Sequence, residues 1–219
     1  MVIQLFGHPF SSYTWKALIA FYENEIPFDF RMLSPEHPEN GQELARRWPL
    51  AKFPLFADGD AVVFEATAII EYLAAFHPGP VVLIPADPKA AVPVRQFDRI
   101  FDNYVMNVMQ VLMSNALRPA EHRDPFGVDR ARTDLDMIYT WLDGHLAASE
   151  WAAGDAFTLA DCAAAPSLFY ADWAHPIDTQ HTNLKGYRAR LLARPSVARC
   201  VDDARPYRKF FPLGAPDRD

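Results

Sequence analysis

Three short stretches within the first seventy residues carry side chains able to hold and polarise a small ionic molecule. Ser11-Ser12-Tyr13-Thr14-Trp15-Lys16 sets hydroxyls between a β-rich segment and a helical one. Amides at a helix start lack partners within the helix, and the helix dipole favours an anion there. A serine hydroxyl at that point either donates to a thiolate, carboxylate or phosphate, or simply caps the helix, the commoner use of such a residue. Ala51-Lys52-Phe53-Pro54 leads into a strand. With a trans bond the proline is structural; with a cis bond, found at about 5–6% of X–Pro positions, the Phe53 backbone turns outward and offers its N–H and C=O to an extended peptide. Lys52 adds positive charge beside it. Glu65-Ala66-Thr67-Ala68 stands at a strand-to-helix transition, where a glutamate either compensates the dipole or captures an ammonium group while neighbouring amides take a carboxylate.

The elements that must position these residues follow from hydrophobic spacing. Residues 2–6 read as a strand ending at Gly7-His8-Pro9, and 12–23 as a helix with Trp15, Leu18, Ile19 and Tyr22 on one face. Pro27 stops that helix, 28–32 reads as a second strand, and 42–48 is a short helix at best. Residues 54–57 and 61–64 flank Asp58-Gly59-Asp60, the strongest turn signal in the chain, and form a hairpin. A helix over 65–76 completes a β-α-β-α-β-β-α order, an α+β arrangement of a mixed sheet with helices packed on it.

Pro78-Gly79-Pro80, continued by Pro85, Pro88 and Pro93, reads as an interdomain linker. Strand signals almost vanish beyond it. Long helical patterns cover 94–117 and 130–148, and Thr158-Leu159-Ala160-Asp161 opens another helix in a capping-box arrangement, with Phe157 as its hydrophobic staple. Shorter helices at 184–193 and 196–203 precede a tail rich in proline and aromatics, so the second half is a helical bundle. The stripe Tyr104, Met106, Val108, Met109, Leu112 and Met113 reads either as the wall of an adaptable apolar pocket or as core or subunit interface. Tyr207, Phe210 and Phe211 of the tail can close such a pocket or pack on the surface.

Composition excludes several classes of function. Of 219 residues, 50% are hydrophobic and 22% charged, enough apolar material for a core. Asp+Glu number 28 against 21 Lys+Arg, a net charge of −7, which argues against a nucleic-acid footprint. The apolar run 61–64 ends at Glu65 and the run 163–168 contains Pro166, so neither approaches the roughly 20 residues of a membrane span. Met1-Val2-Ile3-Gln4-Leu5-Phe6 has neither the positive region nor the long apolar region of a signal peptide. A soluble cytoplasmic protein is expected, with Cys162 and Cys200 reduced and buried, no metal site, and no nucleic-acid or membrane partner.

Taken together, these motifs and their order resemble the cytosolic glutathione transferases, over nearly the whole chain. The resemblance implies a thioredoxin-like N-terminal domain over residues 1–78, a linker over 79–90 and an all-helical C-terminal domain over 91–219. Ser-Ser-Tyr-Thr-Trp-Lys is similar to the active-site segment of serine-type, zeta- and theta-like members, here of bacterial kind. Pro49-Leu50-Ala51-Lys52-Phe53-Pro54 resembles the cis-proline loop, Glu65 to Leu73 the segment that takes the γ-glutamyl end, and Phe157 to Asp161 the capping box of the helical domain. On that resemblance Ser11, with Ser12 its close rival, is the catalytic hydroxyl, and Phe53 pairs its backbone with the cysteinyl part of glutathione beside cis-Pro54. Glu65 meets the γ-glutamyl ammonium, the Ala66 N–H the α-carboxylate, and Lys52 and His37 the glycyl end. Ala66 replaces the usual serine and so removes one donor. Tyr104 and Met109 are the candidates for the electrophile pocket. The implied activity is detoxifying conjugation of glutathione, as co-substrate, to small hydrophobic electrophiles by a cytoplasmic homodimer. The alternatives are a glutathione-dependent isomerase or dehalogenase, against which Tyr13 stands where the zeta class has cysteine, and a non-catalytic binding or regulatory protein.

Overall fold

The computed structural model describes residues 2–219; Met1, at the head of the first expected domain, lies outside them. Strand β1 (Gln4–Gly7) is followed by helix α1 (Ser12–Glu23), β2 (Asp29–Met32), α2 (Pro38–Arg47), the hairpin β3 (Leu55–Asp58) and β4 (Ala61–Phe64), and α3 (Ala66–Phe76). The sheet order is β2-β1-β3-β4. β1 runs parallel to β2, as a crossover through α1 requires, and antiparallel to β3, while β3 and β4 pair across the tight Asp58–Ala61 turn. This is the thioredoxin-like α+β unit the motifs imply. Helix α2 begins four residues before the expected short helix. Its proline lies in the first turn, where no backbone donor is lost, but Asn40 and Gly41 are poor helix formers and mask the start.

The remainder is helical: α4 (Pro88–Ile100), a π-helical turn (Phe101–Met106), α5 (Asn107–Leu117), α6 (Pro125–Leu146), α7 (Leu159–Ala174), α8 (Thr182–Ala193) and α9 (Pro195–Ala204). Pro93, read from the sequence as part of the interruption, lies inside α4 instead, and α7 likewise carries Pro166 in its interior. α4 therefore starts within the stretch expected to be linker. Tertiary burial overrides the local penalty of about 3 kcal/mol for an internal proline. Nearly every residue of α7 is buried, and its alanines 160, 163, 164 and 165 let α1 and α4 pack close against it. One apolar core accordingly runs from Trp15, Ile19 and Leu73 of the first half through α7 to Leu142 and Val197.

Two charged networks hold helices together inside this core. Asp161 is fully buried. Its carboxylate accepts from the Thr158 N–H at 2.8 Å, the Thr158 hydroxyl at 3.2 Å, the Ala152 N–H at 3.0 Å and the Tyr187 hydroxyl at 2.5 Å. The capping box thus ties the start of α7 to the preceding loop and to α8. Lys16 of α1 is equally buried, with its ammonium 2.6 Å from both Asp98 and Asp102 and 2.8 Å from the Thr67 hydroxyl. α1, α3 and α4 meet at that one cation.

Candidate functional site

The turn from β1 into α1 is compact because Gly7 approaches Thr14 so closely that a Cβ there would come 2.6 Å from the Thr14 methyl. The Trp15 indole N–H donates to the Pro9 carbonyl at 2.5 Å, and the Tyr170 hydroxyl of α7 donates to the Phe10 carbonyl at 3.0 Å. Held from both sides, the loop delivers Ser11 as the N-cap of α1. Its backbone is extended, and its Oγ accepts from the Thr14 N–H at 3.3 Å. The capping role and a donor role are therefore compatible. With a lone pair of Oγ committed to the amide, the hydroxyl proton remains to be given elsewhere. Ser12, the first residue of the helix, is buried.

Two cavities meet at this turn. A polar one of about 300 Å3 is lined by Tyr13, Trp48, Lys52, Phe53, Pro54, Phe64, Glu65, Ala66, Asp102, Asn103 and Asn107. A more apolar one of about 520 Å3 is walled by Phe10, Ser11, Ser12, Met109, Met113, Tyr170, Phe210 and Phe211 among others. Tyr13, Lys52 and Phe53 line both.

In the polar cavity the Phe53–Pro54 peptide is cis. Neither the N–H nor the C=O of Phe53 has an intramolecular partner among the described residues. Glu65 precedes α3 with φ at +69°, a left-handed conformation uncommon outside glycine, and its carboxylate does not cap the helix. Such an outlier costs of order 1–3 kcal/mol and persists at sites where function fixes the backbone. Ala66, the first residue of α3, lines the cavity, and its amide has no hydrogen-bond partner among the described residues. Across from them the π-helical turn brings in Asp102. Burial raises its pKa from the ordinary carboxylate value, and Lys16 acts in the opposite sense. Lys16 engages only Oδ2, and Oδ1 has no hydrogen-bond partner among the described residues. The Tyr13 hydroxyl donates to Asn107 Oδ1 at 3.1 Å. Burial, with Asp102 and Glu65 nearby, pushes its pKa up to about 12, so it stays protonated.

The structure therefore brings Ser11, Ser12, Lys52, Phe53, Pro54, Glu65, Ala66 and Met109 around two joined cavities. Two expected residues stand apart. His37 lies on the exposed start of α2 with its ring 3.4 Å from Glu39, and lines neither cavity. Tyr104 is 57% exposed and also lines neither. Asn103 of the π turn and Asn107 of α5 line the polar cavity, and Met109 and Met113 of α5 the apolar one. Met106 and Leu112 are core, whereas Phe210 and Phe211 do border the apolar cavity. Tyr207 instead packs edge-on against His8. Sequence reading missed Tyr13 as a shared wall and Asp102, Asn103 and Asn107 altogether; the only signal was three polar residues within an otherwise apolar helical run. Among the described residues no three His, Cys, Asp or Glu side chains converge as a metal site, and no helix is long and apolar enough to cross a membrane.

Comparison with known proteins decides the lineage. Residues 5–81 match the glutathione S-transferase N-terminal domain and residues 125–190 the C-terminal domain of the same family. The chain belongs to the glutathione S-transferase family. It is 27% identical over 203 residues to glutathione S-transferase GstB of Escherichia coli K12, covering 91% of this chain and 98% of that one. It is 26% identical over 213 residues to glutathione S-transferase F7 of Arabidopsis thaliana, covering 91% and 99%. A glutathione S-transferase of Methylobacterium radiotolerans, solved with glutathione sulfonate, superposes with a TM-score of 0.78 at 27% identity over 92% of this chain and 95% of that one.

Proposed function

We propose that the chain is a serine-type glutathione transferase that adds the glutathione thiolate to small apolar electrophiles. The carrying observation is that the two cavities join at Tyr13, Lys52 and Phe53, with the helix-capping Ser11 hydroxyl, its proton free, lining the apolar cavity beside the unpaired backbone of Phe53. In this reading the tripeptide lies along the polar cavity. Its cysteinyl amide pairs with Phe53, and its α-carboxylate lies on the Ala66 end of α3. Its ammonium sits between Glu65 and Asp102, and its glycyl carboxylate near Lys52. Asp102 supplies through Oδ1 a contact that offsets the hydroxyl absent at Ala66. The glutathione sulfonate bound to the Methylobacterium relative supports a tripeptide here. Cytoplasmic location, a homodimer and a detoxifying role come with the family resemblance.

A free thiol of this kind has a pKa near 8.5, so little of it is ionised at neutral pH. A hydroxyl donating to sulfur stabilises only the anion. A hydrogen bond to a charged group is worth about 1.5–3 kcal/mol, which lowers the thiol pKa by about one to two units. The dipole of α1 acts in the same sense. The thiolate then attacks an electrophilic carbon held against Phe10, Met109 and Met113, and the leaving group departs or a proton is taken up from water.

Ser11→Ala is expected to raise the pKa of bound glutathione, followed by thiolate absorbance, by about one to two units. Ser12→Ala and Tyr13→Phe are expected to leave it in place. If the Ser11 variant titrates like the parent while either of the others shifts, the hydroxyl is misassigned. If none of the three proteins binds glutathione, the transferase reading itself fails.

A further inference from the structure

A cavity of about 690 Å3, larger than either described above, lies between the C-terminal end of α1, strand β2 and helix α9, and shares no lining residue with them. It sits where the two halves of the chain meet, a common place for small-molecule sites, and its volume is within their usual range. Phe28, just before the edge strand, Phe30 within it and Tyr22 of α1 provide aromatic walls, with the ring centroids of Phe21 and Phe28 4.5 Å apart. Glu25, Asp203 and Arg199 form the charged part of the lining. Among the described residues none of these three joins an ion pair. Arg199 instead lies 4.0 Å over the ring of Tyr22. Two carboxylates thus share the lining with one guanidinium, and that guanidinium is already engaged by an aromatic ring.

We propose that this cavity is a second ligand site that takes a flat aromatic cation. The planar body stacks on the aromatic walls and the positive charge lies toward Glu25 and Asp203. Three observations set the sign of the charge: the excess of unpaired carboxylate at the lining, the ring faces whose quadrupole attracts cations, and the overall charge of −7. The arginine on Tyr22 already demonstrates the geometry of a planar cation over one of these rings. Because the ligand would touch α1 and β2 on one side and α9 on the other, occupation ties the two halves together and raises thermal stability. The site is independent of the transferase reading.

Proflavine, a planar fluorescent cation, is the probe, titrated into the full chain with and without excess S-methylglutathione. One saturable site per chain is expected, unaffected by S-methylglutathione and accompanied by a higher melting temperature. Loss of two exposed charge contacts in the Glu25→Gln/Asp203→Asn double variant weakens binding by about tenfold. Neither side chain has an ion-pair partner to lose, so folding is preserved; Phe30→Ala, which removes a wall, weakens binding as well. The proposal is overturned by any of four results: no saturable binding, displacement by S-methylglutathione, indifference to both sets of substitutions, or preference for the anion 1-anilinonaphthalene-8-sulfonate that is lost in Arg199→Gln.

Discussion

Asp102 and Asp161 are both carboxylates within the helical half, and burial raises the pKa of each. Their surroundings differ in one respect that separates architecture from chemistry. Asp161 is enclosed by four donors, two from Thr158 and one each from Ala152 and Tyr187, and no acceptor capacity is directed at a cavity. Asp102 has one oxygen on Lys16 and the other without a hydrogen-bond partner among the described residues, and it lines the polar cavity. A buried acid with every bond made is a staple, whereas Asp102 keeps an acceptor in reserve, which the proposed glutathione site would use.

Substitutions test that contrast directly. Asp161→Ala leaves the buried Tyr187 hydroxyl and two amides without acceptors, and is expected to cost about 3–5 kcal/mol of stability in denaturant titration. A loss below about 1 kcal/mol would show that the network is ornamental. Asp102→Asn keeps shape and removes charge. Its expected signature is a dissociation constant for glutathione raised about tenfold with kcat little changed, since the lost contact is one charged hydrogen bond on a partly exposed oxygen. Equal affinity in the two proteins would remove Asp102 from the binding set.

The pH dependence sharpens the same point. The raised pKa of Asp102 means that it protonates on acidification before an ordinary carboxylate does. Glutathione affinity should therefore begin to fall on acidification at a higher pH than an ordinary carboxylate would dictate in the parent, and fall less in Asp102→Asn. The linkage to stability has the opposite sign. With its folded pKa raised, Asp102 contributes stability present below the unfolded pKa and lost as pH rises through the folded one. Calorimetric titration of glutathione at a series of falling pH values, beside melting of the ligand-free protein, separates the two. The smallest effect belongs to Tyr104→Ala. KM for apolar electrophiles is expected to stay within about twofold, because an exposed ring outside both cavities contributes nothing to their walls.

The parts of this molecule that were readable from sequence are those whose cause is local. Helix α1 announces itself through Trp15, Leu18 and Ile19, the hairpin through Asp58-Gly59-Asp60, and the α7 start through Thr158 and Asp161. Ser11, Phe53 and Glu65, which line the two cavities, could be singled out because each lies at the end of a recognisable element. Pro93 misled because burial against neighbouring helices outweighs a local penalty, and no single-chain pattern registers that. The start of α2 was obscured by Asn40 and Gly41. Asp102 was invisible for a different reason: its partner Lys16 lies 86 positions away, and its orientation depends on a departure from α-helical phase. His37 and Tyr104 were placed by resemblance and by helical spacing respectively, and neither source encodes which way an exposed side chain points.

That departure, the six-residue π turn between α4 and α5, has a consequence for how this architecture can vary. In an α-helix each residue advances the azimuth by about 100°, so gaining or losing one position reorients everything downstream by more than a quarter circle. Asp102 and Asn103 lie within the wider turn and Met109 and Met113 beyond it. A single-codon insertion or deletion here would therefore swing one set of cavity walls relative to the other, reshaping the apolar cavity while the walls contributed by the sheet stay where they are.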